Sequence, residues 1–277
     1  MKTLKKLITV LTLSTLGFAF SSSASPIITS WDFVVDSAFT AATYTAGTGT
    51  PTPSDTNILF GAPTNLAWGN QVDQSNIDIS SGSSGLVSGM NLASGDQVQT
   101  SLFVHNNITI PGGSSVLDTA ILSTLLQLTP AGVAPPPPNL ANALAFDILF
   151  AETPNVPGMC GGVLCENDIF IVSLPAGVMF DEGKGTLNQQ FNILEHTYNT
   201  ELTLVPTEVG SGLTILHDDL CALVGADNGC IGFSTFEAQS NEFQVLMTIT
   251  SVPEPSTILL LSLAMFGIVA SMRSKRI

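Results

Sequence analysis

The sequence predicts an all-β protein: one β-sandwich or jelly-roll-like ectodomain, flanked by an N-terminal signal peptide and a C-terminal transmembrane helix. Three observations carry this reading. Short alternating runs recur along residues 25–251, the clearest being Phe243, Val245, Met247 and Ile249 interleaved with Gln244, Leu246, Thr248 and Thr250. Segments rich in Gly, Pro, Ser and Asn separate these runs, as in residues 47–53. No stretch of the region has the period of a long amphipathic helix. Hydrophobic residues make up 44% of the 277, with fifteen Phe, which is enough for a sizeable core despite only 10% charged residues.

Residues 1–24 read as a signal peptide. Lys2, Lys5 and Lys6 form a charged start, Leu7 to Phe20 an apolar run, and Ser22-Ser23-Ala24 a small-residue cleavage site for signal peptidase. Export places Cys160, Cys165, Cys221 and Cys230 in an oxidising space, where an even count favours two disulfides. Three pairings are possible. The local one, Cys160–Cys165 with Cys221–Cys230, is favoured because each pair closes a Gly-rich loop. A zinc site fits less well, because the tight C-x₂-C knuckle is missing.

The ectodomain, 25–251, is taken in order. Ile28 to Val35 and Phe39 to Thr45 read as two strands, with Trp31 and Phe33 on one face. Asn57 to Phe60 and Asn65 to Trp68 read as short strands around Gly61-Ala62-Pro63, and Ser80 to Gly85 as a loop. Gln97 to Ile110 is a long strand, broken at His105-Asn106-Asn107. Val116 to Leu128 is a buried strand with turn-rich flanks. Pro135 to Pro138 must be extended and cannot pair in a central strand. It reads as an exposed loop of one sandwich rather than a domain boundary, since composition is alike on both sides. Ala143 to Glu152 and Asp168 to Leu174 are strands bracketing the first cysteine loop. Phe191 to Thr197 and Thr200 to Val205 read as a hairpin around Tyr198-Asn199. Leu213 to Leu216, Ile231 to Phe236 and Glu242 to Thr250 complete about a dozen strands.

Residues 252–277 differ from the rest. Val252-Pro253-Glu254-Pro255-Ser256 is short, rigid and extended; an apolar helix follows at 257–272 and a basic end at 273–277. This run of sixteen residues falls short of the roughly 20 of a comfortable span, which suits a transient anchor in the inner membrane. Six of the seven cations lie at the two ends, next to the apolar runs, so both ends stay cytoplasmic and the body lies outside. Residues 25–252 keep one lysine, Lys184, against 21 acids, a net charge of −20. Such a surface repels phosphate backbones and excludes nucleic acid as a partner.

The tail, from Val252 through Ser256 to the basic end, resembles the PEP-CTERM sorting signal of Gram-negative bacteria. The resemblance implies cutting by an exosortase, a membrane transpeptidase-like protease, and delivery to the cell envelope or the exopolysaccharide matrix. The body resembles the THxN group of PEP-CTERM proteins, which has no established activity. That likeness rests on Leu66-Ala67-Trp68-Gly69, on His105 and Asn107, and on the run from Phe146 to Asn155 leading to Cys160, Cys165 and Asp168-Ile169-Phe170. Val104 stands where the group has its Thr, so only His105 and Asn107 match the motif.

No catalytic constellation is visible. His105, His196 and His217 form no close metal pair, no G-x-S-x-G elbow is present, and Gly183-Lys184-Gly185-Thr186 fits a turn rather than a phosphate loop. His105 with Asn106 and Asn107 reads as a satisfied polar bend, and Trp31 and Trp68 as core. Two acid-rich segments invite Ca²⁺ as the one cofactor to consider: Asp73, Asn76 and Asp78, and His217, Asp218 and Asp219 with Asp227-Asn228. Neither has the EF-hand spacing, and the reading assigns no metal ligand. The function that follows is a non-catalytic, exosortase-sorted structural protein of the envelope or extracellular matrix. The alternative is a polysaccharide- or Ca²⁺-binding module of that matrix; a hydrolase is weakest.

Overall fold

A computed structural model describes residues 25–57, 59–70, 72–80, 86–132, 140–153, 158–160, 163–165, 167–208 and 210–253. Residues 1–24, the proline run and residues 254–277 lie outside them, so the predicted signal peptide, most of the tail motif and the apolar helix do too.

The first strands are β1 (Ser30–Tyr44), β2 (Ser54–Thr56), β3 (Pro63–Gly69), β4 (Gln74–Ser80), β5 (Leu86–Ala93) and β6 (Gln97–Asn107). Then come β7 (Leu117–Pro130), β8 (Leu140–Ala151), β9 (Met159–Cys160), β10 (Val163–Leu164), β11 (Asp168–Ser173) and β12 (Val178–Asp181). The last are β13 (Thr186–Ile193), β14 (His196–Pro206), β15 (Thr214–Ile215), the helix α1 (Asp218–Leu223), β16 (Ile231–Thr235) and β17 (Gln239–Ser251). One seven-stranded sheet has the order β15-β16-β11-β8-β7-β1-β5, and an eight-stranded sheet has β12-β13-β14-β17-β6-β4-β3-β2. The two curled sheets form a sandwich-like fold. Neighbouring strands within them run antiparallel.

Several strands differ from expectation, each for a local reason. Residues 30–44 are one strand and not two, because the polar residues at the expected break are absorbed into the interior. Asp36 is 1% exposed; its Oδ1 accepts from the Ser37 amide at 3.0 Å and from the Asn57 side chain. Asn57 to Phe60 is a turn. The Asn57 Oδ1 accepts from the Leu59 and Phe60 amides at 2.8 and 3.0 Å, which curls the chain. β4 runs through the first acid-rich segment, with Ser75, Ile77 and Ile79 inward and Asn76 and Asp78 on the other face. β5 was not foreseen. His105-Asn106-Asn107 does not break β6; His105 and Asn107 pair with Asn241 and Gln239 of β17. The hairpin turn falls at Leu194-Glu195, where Leu194 has φ +55°, and not at Tyr198-Asn199.

Tyr198 instead lies in β14 opposite Phe191, fully buried against Trp31 at 5.0 Å, and its hydroxyl accepts from the Ile28 amide at 2.8 Å. That contact anchors the N-terminal end of the ectodomain. At the other end Phe103, Phe150, Phe170, Phe233 and Phe243 interlock. Phe170 stacks on Phe233 at 5.1 Å and meets Phe103 edge-on at 5.6 Å, so β11 and β16 are joined to β6 across the sandwich. On the outer face of β11, Ile169 and Ile171 are covered by Leu220 and Cys221 of α1. The Cys221–Cys230 disulfide holds α1 to the start of β16, as expected. Cys165 is disulfide-bonded too; the side chain of Cys160, its expected partner, is outside the described residues.

Phe170→Ala removes the ring that joins the sheets and lowers stability by about 3–5 kcal/mol in urea unfolding. Met90→Ala, at a position 78% exposed, leaves the midpoint within about 0.5 kcal/mol of the parent.

Candidate functional site

Strand alternation sends polar groups into the same end of the sandwich as the Phe cluster. In β6, Phe103, His105 and Asn107 share the inward face. In β8, Phe146, Ile148 and Phe150 are buried, and Glu152 just beyond continues that phase. In β11, Asp168 stands two residues before Phe170. Glu237 sits in the turn between β16 and β17. The Asn241 side chain clamps that turn, its Oδ1 accepting from the Phe236 amide and its Nδ2 donating to the Phe236 carbonyl, both at 2.8 Å.

Glu152, Asp168 and Glu237 converge: their ligating oxygens lie within 4.8 Å of one another. Each carboxylate has one oxygen held by a protein donor. The Trp68 indole donates to Glu152 Oε2 at 3.3 Å, the Thr153 amide to Asp168 Oδ1 at 2.9 Å, and the Thr109 hydroxyl to Glu237 Oε1 at 2.7 Å. The other oxygens, Glu152 Oε1, Asp168 Oδ2 and Glu237 Oε2, are buried with no hydrogen-bond partner. Asn107 is 1% exposed and faces Asp168, yet its Oδ1 and Nδ2 make no hydrogen bond of ordinary geometry. Burial, together with the neighbouring acids, pushes Glu152 up to about 7 and Asp168 well above the carboxylate range.

His105 borders the cluster. Its ring stacks on Trp68 at 5.5 Å, and its Nδ1 lies 2.8 Å from the Thr235 hydroxyl. Burial pulls its pKa down to about 3, so the ring is neutral over the physiological range and supplies no countercharge. Lys184, the lysine of the ectodomain, is engaged with Glu201 at 3.1 Å. The cluster has no lysine or arginine of the ectodomain beside it to offset its charge. Its donor set is oxygen, which suits a hard cation such as Ca²⁺ rather than a soft one.

The residues singled out in the sequence fall in several places. Trp68, His105 and Asn107 meet at this cluster. Gly69 ends β3 with φ +115°, where a Cβ would approach the Asp73 carbonyl to 2.4 Å, so its role is to turn the backbone. Trp31 is fully buried in the opposite half of the core. The two acid-rich segments do not assemble a ligand set among the described residues: Asn65 bonds Asp78 on β4, and Asp218 and Asp219 form the exposed first turn of α1. Glu152, Asp168 and Glu237 were not read as a site. Between the sheets, separate from the acids, lies an apolar cavity of about 130 Å³ lined by Ile79, Leu122, Leu144 and Leu202.

Residues 251–276 match the PEP-CTERM protein-sorting motif. The motif marks an exported protein that is processed by exosortase through a membrane-anchored C-terminal signal. No curated protein is significantly similar to this chain. Among the described residues no helix is long and apolar enough to cross a membrane.

In chelator, the raised carboxyls make the folded protein less stable as pH rises. For Glu152 the folded value of about 7 exceeds the ordinary 4.5, so the folded state binds the extra proton between them. Its stabilising share is full below 4.5 and is lost as pH rises through about 7. Asp168 adds in the same direction, while Glu237 and His105 face the same space. The melting temperature in EDTA is expected to fall from pH 5 to pH 8, and Glu152→Gln to flatten that fall. An equal fall in the variant would assign it to general charge repulsion instead.

Proposed function

We propose that this chain is an exosortase-sorted envelope or extracellular-matrix protein whose ectodomain has a structural, non-catalytic role. The observation that carries this is the PEP-CTERM sorting motif at residues 251–276. The ectodomain's chemistry agrees with it. The largest fully buried side chains, Trp31, Trp68 and Tyr198, are aromatic and pack between the two sheets. The cavity between the sheets is lined mainly by aliphatic groups, with no acid or base to move a proton. The net charge of −20 over residues 25–252 suits a soluble surface among matrix polymers.

The alternative, a polysaccharide- or Ca²⁺-binding module, divides on the same observations. Aromatic stacking on sugar rings needs exposed rings, and both tryptophans are interior. The converging carboxylates favour the cation arm alone.

Processing is tested by expressing the full chain in an exosortase-containing host and in the same host lacking the exosortase gene, followed by mass spectrometry of the C-terminus. The expected product in the parent host ends within Val252–Ser256 and is recovered from the envelope or the matrix. The deletion host retains residues 257–277 in its membrane fraction. An intact C-terminus in both would overturn the sorting reading. Retention of the processed protein on exopolysaccharide from that host would favour the binding module over the structural role.

A further inference from the structure

We propose that Glu152, Asp168 and Glu237, with Asn107, form a buried site for a hard divalent cation, Ca²⁺, at one end of the sandwich. This goes beyond the sorted structural protein proposed above and stands independently of how the tail is processed.

Three features of the geometry point to a cation. The three carboxylates each have one oxygen fixed by a protein donor and one buried oxygen left bare. This is the arrangement of a ligand set oriented by a second layer of hydrogen bonds. Their mutual spacing, within 4.8 Å, matches the separation across an ion that binds oxygen at about 2.3–2.6 Å. Beside the acids, Asn107 is 1% exposed, turns its amide to the Asp168 carboxyl and leaves its Oδ1 without a partner. A buried amide left in that state costs stability unless something ligates it. A cation taking Asn107 Oδ1 would supply the missing partner. The amide would then complete a set of four side-chain oxygens, with water filling the remaining positions of a six- to eight-coordinate ion.

The site joins parts of the chain that are distant in sequence. Glu152 follows β8 and Asp168 opens β11, both in the seven-stranded sheet. Asn107 ends β6 in the eight-stranded sheet, and Glu237 sits where the chain passes from β16 in one sheet to β17 in the other. An ion here therefore ties the two sheets together. His105 Nε2 is also buried without a partner, but the imidazole is not among the converging ligands, so the set remains one of oxygens. That composition selects Ca²⁺ over zinc or copper.

Terbium(III) tests the assignment, because it takes Ca²⁺-type oxygen ligands and the Trp68 ring is bonded to one of them. The full-length chain, exported and purified in detergent, is stripped with EDTA and titrated with Tb³⁺ under tryptophan excitation, then with Ca²⁺ and with Mg²⁺. The expected result is sensitised emission that Ca²⁺ displaces at or below about 1 mM, the range of extracellular Ca²⁺ modules, and that Mg²⁺ displaces less well. Ca²⁺ should also raise the melting temperature. Glu237→Gln, at a partly exposed turn, should keep its circular dichroism spectrum while weakening Ca²⁺ by about tenfold or more. Asp218→Asn plus Asp219→Asn, on the exposed end of α1, should bind as the parent does. Absence of sensitised emission, Mg²⁺ displacing as well as Ca²⁺, or unchanged affinity in Glu237→Gln would each overturn the site. None of these readouts depends on exosortase.

Discussion

Three carboxylates that converge at one end of an apolar sandwich repel one another, and no basic side chain of the described residues stands among them. Two unit charges 4.8 Å apart repel by about 3–4 kcal/mol at an effective dielectric of about 20, and Glu152, Asp168 and Glu237 make three such pairs. Many proteins meet this constraint with a nearby Arg or Lys. Here the ectodomain has one lysine, committed to Glu201, and His105 is kept neutral by its own burial. Protons or an external cation can offset the repulsion. Which of the two is present then sets whether this end of the sandwich is strained or cross-linked.

The surrounding structure is arranged to tolerate that burial. Trp68 is both a core ring and a donor: one edge bonds Glu152 and its face lies on His105. His105 passes the contact to Thr235, which is fully buried opposite Asp168 in the β11–β16 pairing. Phe150 and Phe170 close the apolar side. Asp36 makes a contrasting case. It is also buried, yet it sits alone with the Asn57 amide and the Ser37 N–H on one oxygen, so hydrogen bonds from the turn it anchors serve it without a second acid nearby. Its Oδ2 is bare as well, but among the described residues no second acid converges on it.

Alternation made much of the sandwich legible in the sequence. The strands around Val116–Leu128, Ala143–Glu152, Asp168–Leu174 and Glu242–Thr250 lie where their patterns placed them, give or take a few residues. Two of the differences share one cause: polar residues that look like breaks in the sequence are interior. Asp36-Ser37 divided β1 on paper, and His105-Asn106-Asn107 divided β6. The same habit hid the acids. Phe146, Ile148 and Phe150 set a phase that Glu152 continues, and Asp168 shares the phase of Phe170. An acid in an inward phase was the available signal. Glu237 had no such signal, because its position depends on the β16–β17 turn and on Thr109, 128 residues away in the chain. The resemblance-based motif residues Trp68, His105 and Asn107 lie at the cluster, although the residues alone suggest a core ring for Trp68 and a polar bend for His105 and Asn107.

The tail and the buried acids bear on the same transition. The sorting motif at 251–276 marks an exported chain, so the ectodomain leaves the reducing cytoplasm. Cys221–Cys230 then closes α1 onto the start of β16, and β16 leads directly into the turn that bears Glu237. Thr153, beside Glu152, uses its hydroxyl to donate to the carbonyl of disulfide-bonded Cys165 at 2.6 Å, while its amide holds Asp168. Both cysteine loops thus abut segments that supply a carboxylate. Oxidation restrains those segments, and restraint lowers the ordering cost that ion binding would otherwise meet. With the disulfides reduced and no cation present, the acid-bearing end of the sandwich has neither its cross-links nor its counter-ion.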